Sequence, residues 1–348
     1  MPPDRSRSLW IDVLALWGVG LVLLALSLVP LSLPGWVQEV RVTLPSAWLL
    51  FSPWVLARIR GREPEAWLSG SGRIRSSLKV GLVVALVVFP PYALLFHGWS
   101  TVVEGRPMRW DLSRLADFPT DLQGAPWRWD REEALWVFGE AGRLTVWNRT
   151  SRDLEVRLEG CQGSPEGLRW QGGRVLRVPN SEGLATSGTI GKDLGIRCPI
   201  GPGPAFLHAP PGTSMRLGEQ GRAVVAEGPL DVGRSHRWVW VLAWTHLLGV
   251  ALPEEVFYRG FVQRRLAEAF RRRVRVFGAA IGPEVFLASG LFALSHLVLI
   301  PAPFRLAVFF PGLLFGWIRE RTDSTAGSIL VHALSNVLLA LLTRLQGP

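Results

Sequence analysis

Seven long stretches without a single Asp, Glu, Lys or Arg constrain this chain more than any other feature. They are Val13–Gln38, Val42–Ala57, Val80–Val103, Trp238–Pro253, Val285–Phe304, Leu306–Ile318 and Ser324–Thr343. A helix needs about 20 apolar residues to cross the hydrocarbon core of a bilayer. The sequence therefore predicts an all-α polytopic membrane protein with about seven transmembrane helices, of which the second and sixth are short. The first stretch is long and is followed by further spans, so we expect a retained helix rather than a cleaved signal peptide.

The basic residues predict how these spans are oriented. They cluster before the first span and after every second one: Arg5 and Arg7; Arg58, Arg60, Arg62, Arg73, Arg75 and Lys79; Arg264, Arg265, Arg271, Arg272, Arg273 and Arg275; Arg319 and Arg321. With seven spans all four clusters lie on one side of the membrane. Short loops rich in arginine stay in the cytoplasm, so we expect that side to be cytoplasmic and the lipid bilayer to be a partner.

The net charge of +10 has the same origin. The segment 100–236 holds 17 basic and 17 acidic residues, and the rest of the chain holds 21 basic and 11 acidic ones. Nucleic-acid binding is therefore not expected, because the excess charge belongs to the membrane loops. Only 19% of the residues are charged, against about 25% in soluble domains, which disfavours a purely soluble enzyme.

The segment 100–236 is too long and too polar for a plain loop. Five of its segments alternate between apolar and polar residues, which is typical of short strands: 134–138, 143–147, 153–158, 173–178 and 222–226. Strands at such spacing favour a small β-sandwich-like domain. We therefore expect three domains: an N-terminal membrane region at 1–99 with three spans, an extracytoplasmic β-rich insert at 100–236, and a membrane core at 237–348 with four spans.

The two cysteines of the chain, Cys161 and Cys198, both fall in this insert. An exported compartment permits disulfides, whereas the cytosol keeps most thiols reduced. The sequence therefore predicts a Cys161–Cys198 disulfide, with two free buried thiols as the alternative. Two cysteines alone make a poor metal site.

Polar side chains inside membrane spans usually mark function, and here they concentrate in the last third of the chain. Glu254, Glu255 and Arg259 end the fourth span, His296 lies in the fifth, and the seventh holds His332 and Asn336. Residues four apart share a helix face, so Glu255 can pair with Arg259, and His332 and Asn336 point the same way. Glu254 faces about 100° away from Glu255.

Counting from the cytoplasmic arginine clusters puts Glu254, His296, His332 and Asn336 within a turn or two of one another in depth. A carboxylate in a low-dielectric pocket can act as a general base toward water. Histidine and asparagine side chains can donate hydrogen bonds to a developing oxyanion. Such a set suits peptide hydrolysis. Each histidine alone could equally be a packing residue between helices, and His246, about 80° round the helix from Glu254, is expected to serve packing or hydration.

These motifs resemble those of the CPBP family of intramembrane proteases, which includes the type II CAAX prenyl proteases and bacteriocin-processing proteins. The matching pieces are E-E-x-x-x-R at Glu254, Glu255 and Arg259, F-x-x-x-H at Phe292 and His296, and H-x-x-x-N at His332 and Asn336. The run from Pro311 to His332 also resembles the approach to the family's last motif. The resemblance covers roughly residues 238–345.

The resemblance implies a glutamate-dependent intramembrane endopeptidase that needs no cofactor. Glu254 would activate water with the help of His296, while His332 and Asn336 would stabilise the oxyanion. Glu255, Arg259 and Phe292 would support them. Zinc held by Glu254, His296 and His332 is not excluded by the residue types alone. The substrate would be a membrane-anchored protein or peptide.

The large insert departs from the short loops typical of this family. It resembles the myxosortase-like branch, thought to process C-terminal sorting tails of exported proteins, which would place the chain in a bacterial inner membrane. A prenylated substrate is not expected in a bacterium. The alternative function is a non-catalytic membrane scaffold or bacteriocin-immunity protein that binds a partner through the insert. Transport is a third hypothesis, which is disfavoured because no inverted repeat is evident.

Overall fold

The structure is a computed structural model of the full chain. It describes residues 3–29, 35–61, 73–106, 110, 115, 133–140, 143–161, 165–171, 174–178, 187–200, 205–217, 222–225, 227–231, 236–270 and 272–346. These residues form two compact units. The first comprises residues 1–31, 36–99 and 242–340, and the second comprises residues 32–35, 100–241 and 341–348.

Three long helices open the chain: α1 at Pro3–Leu28, α2 at Gly35–Ile59 and α3 at Ile74–Val102. Each contains a stretch long and apolar enough to cross a membrane, and so does α9 at Ala326–Leu345. In α1 to α3 only 11%, 22% and 17% of the most apolar window is buried within the protein. Apolar surface left open to this extent needs lipid around it, so the chain is an integral membrane protein.

The prediction of about seven spans is confirmed for four helices and only in part for the rest. Helix α7, Pro283–Leu299, has 17 residues, and α8, Phe309–Thr322, has 14. A 3₁₀ turn at Pro303–Val308 separates them, because Pro301 and Pro303 interrupt the helical hydrogen bonds there. Both helices are shorter than the roughly 20 residues that a regular span needs.

The fourth predicted span is one run of helical backbone with two wide turns. It consists of α4 at Arg237–Trp244, a π-helical segment at Thr245–Ala251, α5 at Leu252–Glu255, a second π-helical segment at Val256–Val262 and α6 at Gln263–Ala267. In a π turn each hydrogen bond spans five residues, and such turns are frequent at functional sites. A π turn changes the direction in which all later side chains point.

Close backbone contacts hold the first unit together at its small residues. Gly81 of α3 lies against the start of α9, and a Cβ placed on Gly81 would lie 2.8 Å from the carbonyl oxygen of Gly327. Ser77 accepts a hydrogen bond from the backbone N–H of Gly327 at 2.9 Å and bonds Thr322. Small residues at such crossings let membrane helices approach closely.

The described residues of the second unit form eleven strands in two sheets. The strands are β1 Leu135–Glu140, β2 Arg143–Asn148, β3 Leu154–Glu159, β4 Glu166–Gln171, β5 Arg174–Val178, β6 Ser187–Ile190, β7 Leu194–Pro199, β8 Phe206–His208, β9 Ser214–Leu217, β10 Arg222–Val225 and β11 Leu230–Asp231. One sheet has the order β10-β9-β1-β2-β7-β4-β5 and the other the order β11-β8-β3-β6. Within the described residues only β1 and β9 run parallel; the other pairs are antiparallel.

The two sheets share one hydrophobic core. Leu144 and Val146 from the first sheet cluster with Val156, Leu158 and Leu207 from the second, all almost fully buried. In β3 the exposure alternates strictly between buried and open positions, as expected for a strand with one face on a core. The predicted β-rich insert is confirmed, and each of the five predicted strands coincides with an observed one.

Cys161 and Cys198 are joined by a disulfide across the end of the first sheet, with their Cα atoms 5.7 Å apart. Cys198 lies in β7 and Cys161 forms an isolated bridge with Ile200. The described part of the chain contains no free cysteine.

Candidate active site

The polar residues of the three motifs lie in the first unit, on α5 and the π segment after it, on α7 and on α9. Glu255 and Arg259 form the innermost pair, and both side chains are fully buried. Nε of Arg259 lies 3.4 Å from Oε2 of Glu255. A buried charge of either sign is costly without its partner. Replacing either residue would therefore leave the other charge buried and unpaired.

Helix α8 packs closely against Arg259 and Gln263 at two of its glycines. Arg259 donates a hydrogen bond from Nη2 to the carbonyl oxygen of Gly312 at 3.1 Å, and Gln263 donates one to the carbonyl of Gly316 at 3.2 Å. A Cβ on Gly316 would lie 2.9 Å from Oε1 of Gln263. The G-x-x-x-G spacing therefore lets α8 approach these side chains closely enough for its backbone carbonyls to accept one hydrogen bond from each.

Aromatic rings surround the Arg259 guanidinium and both neighbouring histidines. The guanidinium carbon lies 4.7 Å from the ring centroid of Phe292 and 5.6 Å from that of Phe315. Phe315 stacks on His332 at 5.0 Å, and Phe292 meets His296 edge-on at 4.6 Å. Phe292, a predicted supporting residue, also meets His332 edge-on at 5.8 Å. It thus contacts the arginine and both histidines.

His332 connects the two glutamates. Its Nδ1 lies 3.1 Å from Oε1 of Glu255, and its Nε2 lies 3.8 Å from Oε2 of Glu254. Because an ionised carboxylate can only accept, the ring donates its Nδ1 proton to Glu255. This bond fixes the ring so that Nε2 faces Glu254.

Glu254 lies in the wall of a cavity. Its Oε2 atom is buried and forms no hydrogen bond within the described part of the chain. The cavity has a volume of about 80 Å³ and is lined by Glu254, His296, Tyr258, Ser295, Leu299, Trp17, Gly20, Leu21, Leu24, Pro45, Ser46 and Leu49. One water needs roughly 10–15 Å³ of such volume, so several waters or a peptide group can fit beside the carboxylate.

His296 reaches this cavity with a defined tautomer. Its Nδ1 lies 2.9 Å from the carbonyl oxygen of Phe292, so in the neutral ring Nδ1 donates and Nε2 is left as an acceptor. The structure thus brings Glu254 and His296 to one cavity and places His332 directly beside Glu254.

Asn336 has a partner that the motifs did not reveal. Its Nδ2 lies 3.1 Å from Nδ1 of His246. The expectation that His246 serves only packing or hydration therefore needs correction, because this residue bonds a candidate site residue. An ideal α-helix places His246 about 80° away from Glu254, but the π segment Thr245–Ala251 lies between them and alters this angle.

A hydroxyl network in the cavity wall was also not expected. Ser295 accepts a hydrogen bond from the indole Nε1 of Trp17 at 2.9 Å and lies 2.6 Å from the Tyr258 hydroxyl. Ser295 adjoins the second motif, one residue before His296. No signal in the sequence indicated that α1 supplies its partner.

No group of three or more His, Cys, Asp or Glu side chains is placed to hold a metal ion among the residues that the structure describes. The absence of a cofactor remains a prediction.

Fold and site together define a class of protein: an integral membrane protein in which carboxylate, imidazole and carboxamide side chains of three helical segments lie close together, with Glu254 and His296 lining a cavity. A family model described as "Type II CAAX prenyl endopeptidase Rce1-like" matches residues 236–338. The predicted recognition is confirmed to this extent: the segment matches an Rce1-like model, which is consistent with a CPBP intramembrane protease. The match spans just under a third of the chain and contains every predicted site residue apart from the two cysteines. No curated protein and no solved structure matches the chain.

Proposed function

We propose that this protein is an intramembrane endopeptidase in which Glu254 activates a water molecule to hydrolyse a peptide bond of a membrane-anchored protein or peptide. The observation that carries the proposal is the buried Oε2 of Glu254, which forms no hydrogen bond with any described residue and lies 3.8 Å from Nε2 of His332. Other buried carboxylate oxygens also lack a hydrogen bond within the described residues, among them Oε2 of Glu255, but Glu254 is the glutamate that lines the cavity described above. In this proposal, Oε2 of Glu254 accepts a hydrogen bond from the attacking water.

Two acceptors at the cavity would orient that water. One proton of the water points to Glu254 and the other to the acceptor nitrogen of His296, which leaves an oxygen lone pair for the carbonyl carbon. As the C–O bond forms, Glu254 takes the proton from the water. It then delivers this proton to the leaving amide nitrogen as the C–N bond breaks.

The oxyanion would be stabilised from α9. His332 in its protonated form offers Nε2–H on the side that faces Glu254. The Asn336 amide has two N–H groups, and only one can be directed at His246. Donors held in fixed positions before the reaction stabilise the developing charge most effectively. Glu255 and Arg259 would orient His332 rather than touch the substrate.

The proposal extends to location and substrate. The protein would lie in a bacterial inner membrane with the β-rich unit on the extracytoplasmic side, and the arginine clusters support this orientation. In that position the β-rich unit could capture exported proteins, and the substrates would be their C-terminal sorting tails. Prenylated CAAX proteins, the substrates that the matched family's name implies, are not expected in such a membrane.

The test compares cells that express the wild type, Glu254→Ala and His296→Ala, by terminal-peptide mass spectrometry of membrane and exported proteins. Ser335→Ala is the matched control: Ser335 adjoins the last motif, but its hydroxyl bonds the helix backbone at Val331, 2.7 Å away. We expect the same set of C-terminal tails to stay uncut in both active-site variants and to be cut in the control. If no terminus changes at equal protein levels, hydrolysis is refuted and the partner-binding alternative becomes the better explanation.

A further inference from the structure

The loop between α6 and α7 ends in a tight hairpin with an unusual tip. Strands β12, Val274–Val276, and β13, Ala279–Ile281, pair antiparallel, and Val276 opposes Ala279. Only Phe277 and Gly278 form the turn, with φ angles of 47° and 81°. Two-residue turns with both φ angles positive favour Asn-Gly, Asp-Gly or Gly-Gly.

Phenylalanine is the wrong residue for this turn on backbone grounds. A bulky side chain at positive φ is a genuine outlier, and such strain is retained where it serves a function. Phe277 gains little compensating contact from the protein, since 88% of its surface is exposed. Val274, at the other end of β12, is 70% exposed.

The hairpin is fastened along the flank of α8. The indole Nε1 of Trp317 donates to the carbonyl oxygen of Val276 at 2.9 Å. A Cβ on Gly278 would lie 2.9 Å from Nε of Arg321, so the turn packs against that guanidinium. Trp317 and Arg321 lie in the last two turns of α8. The hairpin therefore lies beside the C-terminal end of α8. Trp is enriched at membrane–water interfaces and Arg in the cytoplasmic loops next to them.

Basic side chains complete the surface. Arg273 is committed to Glu284 at 3.4 Å and Glu320 at 3.2 Å. Arg272 and Arg275 are exposed, and neither forms an ion pair within the described part of the chain. An apolar tip flanked by such arginines matches the boundary between acyl chains and anionic head groups.

We infer that the hairpin 274–281 is an interfacial anchor that inserts Phe277 into an anionic bilayer surface at the basic end of the helices. Phe277 would lie among the upper acyl chains, with Arg272 and Arg275 at lipid phosphates. This inference does not depend on the proposed hydrolysis.

The test exploits the cysteine content of the chain. Because its two cysteines are joined in the disulfide, Phe277→Cys provides one reactive thiol for an environment-sensitive fluorophore. The labelled protein is reconstituted in nanodiscs of phosphatidylcholine with and without phosphatidylglycerol. Leu86→Cys, on an exposed apolar position of α3, is the lipid reference, and Glu227→Cys, on an exposed position of the second unit, is the water reference.

We expect the emission at 277 to shift to the blue as at 86, and to shift further when phosphatidylglycerol is present. Replacing Arg272 and Arg275 by Gln should abolish only the second shift. Emission at 277 equal to that at 227 overturns the anchor. Equal shifts in both lipid mixtures overturn the role of anionic head groups. Efficient crosslinking of Phe277→Cys between two copies would instead assign the tip to a protein contact and also overturn the inference.

A second variant separates anchoring from folding. Phe277→Asn suits the turn better than the native residue, so the hairpin should remain formed while the anchor is lost. In this variant we expect a label at Val274→Cys to move toward the emission of the water reference. If the label at 274 is unaffected, Phe277 does not hold the hairpin in the lipid.

Discussion

Glu255→Gln is predicted to destabilise the protein. The substitution keeps the volume of the side chain and removes only its charge. The Arg259 guanidinium would then remain fully buried among Phe292 and Phe315 without a counter-ion. Removing one partner of a buried ion pair costs about 3–5 kcal/mol. Folded domains have about 5–15 kcal/mol in total, so this variant should lose a large part of its stability.

A partly exposed pair sets the scale for this prediction. Glu268 pairs with Arg265 at 2.8 Å, but the Glu268 side chain is 37% exposed, and Arg265 has a second partner in Asp12 at 2.9 Å. Exposed pairs contribute about 0–1 kcal/mol, and Arg265 keeps a counter-ion, so Glu268→Gln should change little. The free energy of unfolding is measured on purified protein in bicelles by steric trapping, for the wild type and both variants.

The single variant Arg259→Met and the double variant Glu255→Gln with Arg259→Met complete a double-mutant cycle. Replacing a buried pair by uncharged groups is often neutral or stabilising. The double variant should therefore recover to within about 1 kcal/mol of the wild type, the remaining loss being the hydrogen bond to the Gly312 carbonyl. The reasoning is refuted if Glu255→Gln unfolds like the wild type yet abolishes proteolysis, since Glu255 would then act in the chemistry and not through Arg259.

Three further outcomes follow from single contacts. Gly81→Ala should destabilise the protein by about 1–3 kcal/mol, because its Cβ would lie 2.8 Å from a backbone carbonyl oxygen of α9. Gly98→Ala is the control, since a Cβ there would have nothing within 4 Å, and it should not destabilise. The thermal unfolding of the two variants compares them. Cys161→Ser removes a disulfide that joins residues 37 apart in sequence. It should lower the free energy of unfolding of the second unit by about 4 kcal/mol, measured as a lower urea midpoint. An unchanged midpoint contradicts this prediction. If Asn336 is an oxyanion donor that His246 orients, His246→Phe should lower kcat by up to about 10²-fold with unchanged KM. Adding Asn336→Ala should then cost less than Asn336→Ala does in the wild type.

The elements of this fold were predictable wherever a local pattern decides them. Uncharged apolar runs predict helices α1, α2, α3 and α9, and strict alternation predicts β3. Strands such as β7, in which buried residues follow one another, carry no such alternation. The lengths of the spans were less predictable. Pro301 and Pro303 interrupt the helical backbone before α8, and a count of uncharged residues does not register this interruption.

The candidate site was predictable one helix at a time. The spacings Glu255 to Arg259 and His332 to Asn336 identify shared helix faces from residue order alone. The contacts that join the helices were not predictable, since the pair His332–Glu255 spans 77 residues and the pair Asn336–His246 spans 90. Periodicity reports which residues share a face, and it contains no information on which face meets which.

The π segments show why counting residues failed at His246 although it succeeded at Arg259. Glu255 and Arg259 are separated by four residues, a distance over which one wide turn changes the angle little. His246 and Glu254 are separated by eight residues, and Thr245–Ala251 takes up most of that interval in π geometry. Over this interval the α-helical count gives a wrong angle between His246 and Glu254. His246 therefore lies on a different face from the one that was counted, and there it bonds Asn336. Two π segments on either side of Glu254 and Glu255 also mean that these carboxylates lie on a single regular turn between distorted ones. The geometry of the proposed site therefore depends on backbone that no side-chain motif records.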